Sequence, residues 1–155
     1  MNMQNLTLCS VFDNLSLLQI QSLGGMAQET SYEADEMVYR QGDAAENLFV
    51  VIEGRVDLGL KGKNGLEIHI DTLSTGDLFG SCLCFDFDQY ALSARCTAPA
   101  RLLKIGTRDF HNIMDTDPAL GFTVQRAISR AYFKRYLETM VKLQNIVGAI
   151  VIKAD

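Results

Sequence analysis

Between about Met26 and Ile105 the chain has no helical period, and that absence constrains its fold more than any other feature. Short apolar stretches follow one another, separated by Gly42, Gly54, Gly62, Gly65, Gly76 and Gly80. Turn signals at such spacing mark an all-β sandwich or barrel. Leu48–Ile52 is a continuous apolar run, as expected of a strand buried on both faces. After Gly54, Val56, Leu58 and Leu60 alternate with Arg55, Asp57 and Gly59. Asn64-Gly65 is a hairpin signal, because this pair accepts positive φ in a tight turn. Beyond it, Leu66, Ile68 and Ile70 alternate with Glu67, His69 and Asp71, which predicts a strand with one dry face and His69 on the wet one.

Helical patterns flank this block. Ser16 is placed to cap a short amphipathic helix carrying Leu17, Leu18, Ile20 and Leu23, with Gly24-Gly25 expected to end it. Thr107-Arg108-Asp109 is expected to cap a short helix that buries Phe110, Ile113 and Met114. A second helix opens at Asp117-Pro118, with Asp as N-cap and Pro in the first turn. From Ala119 to about Asn145 no proline interrupts it, which gives a rod of roughly 40 Å. Phe133, Leu137, Met140, Gln144, Val147 and Val151 recur at steps of four and three, the seam of a two-helix contact. A homodimer through this helix is expected, with packing against the β-domain as the alternative.

The length of 155 residues suits one domain spanning 1–155, and 48% hydrophobic with 21% charged residues is ordinary globular composition. No apolar run approaches the roughly 18 residues needed to span a bilayer, and Met1–Asn5 carries no positive n-region. A cytoplasmic protein without a membrane partner is expected. The net charge of −5 argues against tight binding to bare DNA. Between Ala119 and Asn145, Arg126, Arg130, Lys134, Arg135 and Lys142 stand against Glu138 alone, a local +4 that leaves −9 elsewhere. Arg126, Arg130 and Lys134 form a basic row, either a partner surface or a solvated helix face. The thiols Cys9, Cys82, Cys84 and Cys96 read as buried small hydrophobes, with metal or redox use as the alternative. Cys82-Leu83-Cys84 on a strand would put both sulfurs on one face. Two histidines, His69 and His111, cannot build a three-histidine metal centre, and neither a Gly-x-Ser-x-Gly elbow nor a P-loop occurs. An enzyme is not expected.

Particular stretches carry a family resemblance. Tyr39-Arg40-Gln41-Gly42-Asp43 looks like a Gly-Asp turn, Asn47–Val56 like a strand–Gly–strand unit, and Leu73–Gly80 like the approach to a phosphate-binding cassette. With Asp117-Pro118 opening the later helices, these blocks resemble the cyclic-nucleotide-binding domain from about Val11 to about Tyr136. That is the module of catabolite-activator-type regulators, kinase regulatory subunits and gated channels. The resemblance implies a mainly β fold with flanking helices. Its core is a β-roll of jelly-roll type over about 26–105, preceded by one helix and followed by a short helix and a long one over about 118–145.

The resemblance also implies a pocket at Phe79, Gly80, Ser81, Cys82, Leu83, Tyr90, Ala91 and Leu92. In the family, backbone N–H groups and one arginine meet the cyclic phosphate, and a glutamate after the Phe-Gly pair holds the ribose. Here Ser81 holds the glutamate's place, and the arginine's place falls at Tyr90 or Ala91. Losing both charge-assisted contacts weakens nucleotide binding by about 10²- to 10⁴-fold. No cofactor is therefore expected, and cyclic AMP or GMP is disfavoured. Arg95 lies five residues past Tyr90, an odd offset that puts it on the opposite face unless a bulge intervenes. Cys82, Leu83, Cys84, Phe85 and Leu92 would line a more apolar cavity, suited to a small organic ligand or simply filled by side chains. In the activator branch a DNA-reading helix-turn-helix follows the long helix. The apolar tail Ile146–Ile152 has no room for one, so no reading of DNA by this chain is expected. Three readings stay open: a sensor with an altered site, a true small-ligand regulator, and a pure protein-interaction module.

Overall fold

A computed structural model describes residues 3–152, with side chains described through residue 149. Its strands, numbered in chain order, are β1 (Ala27–Tyr32), β2 (Met37–Tyr39), β3 (Asn47–Glu53), β4 (Val56–Lys61), β5 (Glu67–Leu73), β6 (Leu78–Phe79), β7 (Ser93–Cys96) and β8 (Ala100–Gly106). They form two antiparallel sheets, ordered β1-β8-β3-β6 and β2-β7-β4-β5. The helices are α1 (Met3–Leu6), α2 (Leu17–Met26), α3 (Thr107–Thr116) and α4 (Pro118–Ile152). The fold is thus a β-roll with flanking helices, and a four-residue helix precedes the single N-terminal helix that the sequence suggested.

The Leu48–Ile52 run serves two cores at once. Leu48, Val50 and Ile52 pack with Leu23, Phe110, Leu120, Val124 and Ile128 from the helices. Phe49 and Val51 point the other way, into the roll, among Val56, Leu58, Leu73, Phe79 and Ala94. Alternating side chains on a strand covered on both faces leave no polar position in between.

Two turns of the same construction brace the roll. Asp43 N–H donates to the Arg40 carbonyl at 3.0 Å, and Arg40 N–H donates to the Asp43 carboxylate at 2.9 Å. Ser74 and Asp77 repeat both bonds, at 3.0 and 2.9 Å. Gly42 (φ +90°) and Gly76 (φ +91°) supply the left-handed residue that each turn needs.

The caps of α2 and α4 are joined. Ser16 and Gln19 form a reciprocal capping box, and Gln19 Nε2 also donates to Asp117 Oδ2 at 3.1 Å. Asp117 Oδ1 accepts from Leu120 N–H at 3.1 Å, so the expected N-cap of α4 is in place. These hydrogen bonds, Gln19's foremost, hold the Asp117 carboxyl below its usual range.

Several expectations give way. Gly24 and Gly25 do not end α2, which runs to Met26; neither has positive φ, and a Cβ at Gly24 would stand 3.0 Å from Met3 Cγ. The bare backbone is thus a seat for α1. Thr107 does not cap α3: its hydroxyl donates to the Ala45 carbonyl at 2.8 Å, and Gly106 occupies the cap position. In the hairpin only Gly65 has positive φ, with Gly65 N–H bonded to Gly62 O, so the turn is wider than a two-residue one. The dry face of β5 does not form, since Leu66 and Ile68 are exposed. The β4–β5 register slips between Leu58 and Gly59, opposite His69–Asp71, so Ile70 is an extra residue of β5 and the facing of that strand reverses there while β4 keeps its alternation. Finally, α4 does not stop near Asn145 but continues to Ile152, because neither Gly148 nor the apolar residues after Ile146 break it.

Candidate ligand pocket

The residues that the resemblance assigns to the pocket divide into a buried floor and an exposed rim. Phe79, Ser81 and Tyr90 are buried, Cys82, Leu83 and Leu92 are half-buried, and Ala91 is exposed. Gly80 (φ +76°) makes the corner after β6, where a side chain would press on the Asn47 carbonyl and the Phe49 ring. Of the two candidates for the arginine's place, the one that turns inward is Tyr90.

Tyr90 is held from both ends. Its backbone pairs with the first Gly-Asp turn: its N–H donates to the Asp43 carbonyl, and its carbonyl accepts from Gly42 N–H, each at 2.9 Å. Its hydroxyl donates to the Asn47 carbonyl at 2.6 Å and accepts from Asn47 N–H at 3.1 Å. Its ring stacks on Tyr39 with centroids 3.6 Å apart, and Tyr39 in turn meets Phe49 and Phe79 at 6.0 and 6.1 Å. Burial pushes the Tyr90 hydroxyl up to about 12, so it stays a neutral donor at any physiological pH. Burial likewise lifts Tyr39 well above the ordinary tyrosine range.

Cys82-Leu83-Cys84 is not a strand. Residues Cys82–Phe85 form one turn of 3₁₀ helix, closed by Asp86 in the left-handed region (φ 63°). A turn of about three residues points neighbours at i and i+2 in different directions. Cys82 accordingly packs into the roll, and Cys84 and Phe85 pack toward the helices. All four cysteines are free thiols, and burial raises Cys9, Cys84 and Cys96 to about 11 each. Among the described residues no group of three His, Cys, Asp or Glu could hold a metal ion.

Residues of α4, which the sequence did not single out for this site, close over the cassette. Ser81 Oγ donates to the Tyr132 hydroxyl at 3.0 Å, and Gln125 Nε2 donates to the Cys84 carbonyl at 3.1 Å. The Tyr132 ring meets Phe85 edge-on at 5.2 Å, and the Arg135 guanidinium lies 5.2 Å from the Tyr132 centroid. Arg135 is tied to Asp71 of β5 at 2.7 Å. The signal was present in the row Val124, Ile128, Tyr132 and Arg135, spaced four, four and three on the docked helix face. Arg95 does not enter the pocket: it is exposed, between buried Ala94 and Cys96.

Past Tyr132 the seam positions lie open. Phe133 is 61% exposed, Leu137 49%, Met140 41% and Val147 50%, with Gln144 exposed among them. Val151 lies outside the described side chains. Arg126, Arg130 and Lys134 are all exposed. Among the described residues no helix is long and apolar enough to cross a membrane.

Comparison with known proteins agrees with this geometry. A family model described as the cyclic nucleotide-binding domain matches residues 29–117, more than half of the chain. The cAMP-activated global transcriptional regulator CRP of Pasteurella multocida is 24% identical over 64% of this chain and 48% of its own length. The chain spans about half or less of the curated relatives it matches. A cyclic nucleotide-binding protein from Geobacter metallireducens superposes with a TM-score of 0.78 at 21% identity, covering 88% of this chain and 98% of that one. The regulatory subunit of a cAMP-independent protein kinase A from Trypanosoma brucei superposes with a TM-score of 0.77 at 19% identity, over 92% of this chain and 50% of that one. A variant of that subunit with three substitutions, one of them introducing an arginine, is bound to cAMP. The matched residues, the roll and the cassette corner together place this chain in the cyclic nucleotide-binding domain family.

Proposed function

We propose that this chain is a non-enzymatic regulatory domain of the cytoplasm whose cassette is held by its own side chains instead of by cyclic AMP or GMP. It works as an interaction module, pairing with a second copy through the distal half of α4. One observation carries this reading: Tyr90, one of the two positions at which the resemblance puts the family's arginine, is stacked on Tyr39, with its hydroxyl committed to both backbone groups of Asn47. A neutral phenol already paired with backbone offers a phosphate no charge and no free donor. Arg135 does bring a guanidinium near the cassette, but Asp71 engages it. Tyr132 does for Ser81 what a ligand hydroxyl does for the family's glutamate, which supports a helix position set without a messenger. The relative from Trypanosoma brucei, described as cAMP-independent, gives this reading a precedent.

Isothermal titration of the chain with cyclic AMP and cyclic GMP tests the proposal. No saturable heat is expected with either nucleotide, and micromolar binding of one would overturn it.

A further inference from the structure

A cleft of about 580 Å³ lies on the outside of the β2-β7-β4-β5 sheet. Asp57, Ser93 and Arg95 line it and alternate along their strands with buried Val56, Leu58, Ala94 and Cys96, so it faces away from the aromatic cluster. The β5 bulge at Ile70 lies beside it, where the register passes from Leu58↔Asp71 to Gly59↔His69. Gly59 forms part of the wall, and a Cβ there would stand 2.9 Å from the Ile68 carbonyl oxygen.

Three cations and two carboxylates border the cleft, and they are not equally free. Asp57 Oδ1 accepts from Thr72 Oγ1 at 2.8 Å and lies 3.7 Å from His69 Nε2. Lys61 and Glu67 are cross-strand partners. Arg40 and Arg95 are both exposed and, like Lys61, make no ion pair among the described residues. Two uncommitted guanidinium groups on neighbouring chain segments are a fitted receptor for carboxylates, which Arg binds in bidentate fashion. The chain as a whole carries −5, so this face is a local exception to a surface that repels acidic partners.

We propose that this cleft docks an acidic segment of a partner protein, with side-chain carboxylates clasped by Arg40 and Arg95. A small molecule fits less well, because small-ligand sites enclose most of the ligand and this cleft is only half enclosed. Asp71, paired with α4, shares its register position with inward-facing Leu58, so α4 crosses the opposite side of the sheet and the cleft stays accessible when α4 is covered.

Fluorescence anisotropy of a labelled oligoglutamate peptide against the full chain tests this, with backbone amide shifts read in parallel. Saturable binding is expected, with shifts at Gly59, Ser93 and Arg95. Affinity should fall about ten-fold or more in the Arg40→Glu/Arg95→Glu variant and fall again in high salt. Arg95→Gln serves as the probe if circular dichroism shows the double variant unfolded. Absence of saturable binding, equal affinity in the folded variants, or shifts confined to Arg126, Arg130 and Lys134 would overturn the proposal.

Discussion

The two halves of α4 contain similar amounts of apolar side chain and meet opposite fates. In the first, Leu120, Val124 and Ile128 are at most 1% exposed, seated against α2, α3 and the back of β3. In the second, Phe133, Tyr136, Leu137, Met140, Leu143 and Val147 stand in water. Apolar content therefore does not separate a buried helix segment from an exposed one; the presence of a facing surface does. An exposed stripe of this extent is the surface that the proposed pairing with a second copy would cover. Tyr132 and Arg135 sit at the boundary, the last side chains of α4 with a polar partner on the roll among the described residues.

This contrast makes separable predictions. The largest effect is expected in the distal half. Leu137→Glu with Met140→Glu should raise the dimer dissociation constant by about 100-fold or more in sedimentation equilibrium, since buried interface anchors contribute about 2 kcal/mol or more each. Melting of the monomer should be unchanged. In the docked half Ile128→Ala should do the reverse, lowering unfolding free energy by about 2–5 kcal/mol in urea titration through the cavity it leaves. If Ile128→Ala and the double glutamate variant shift stability alike, the two halves are not distinct.

At the boundary, Tyr132→Phe removes the partner of the buried Ser81 hydroxyl. A loss of about 1–3 kcal/mol is expected in the same titration, with faster amide exchange at Cys84. Arg135→Gln should cost less, about 1 kcal/mol or under, and its effect should shrink in salt, because the pair with Asp71 is partly hydrated. The smallest effect concerns the N-cap. The folded state holds the Asp117 carboxyl below its ordinary range, so this group's stabilisation is fully present above that range. It is lost as pH falls through the lower folded value. Asp117→Asn should flatten stability against pH only at and below about pH 4, and a change in slope near neutrality would contradict the assignment.

Elements whose signals are local were readable from residues alone. The β3 run, the Ser16 capping box, the Asp117-Pro118 start and the hairpin around Gly65 depend on residues within a few positions of one another. Expectations failed where distant chain intervened. Gly24-Gly25 reads as a helix end until Met3 is seen packed over it. Leu66 and Ile68 read as core until the β4–β5 hairpin is seen to leave them exposed past the Ile70 bulge. Cys82 and Cys84 read as one face until the cassette closes into a helical turn.

For the site, residue types alone carry the expectation that the family's arginine and glutamate are missing, since charge is a property of the side chain itself. What occupies the space instead is decided by contacts across 43 to 51 positions: Tyr90 to Asn47, and Tyr132 to Ser81. No periodicity encodes such pairs, because they depend on how two sheets and a helix are brought together. The burial of half of α4 and the openness of the rest follow from the same cause. A helix carries its pattern along its whole length, but it is covered only as far as the roll extends beneath it.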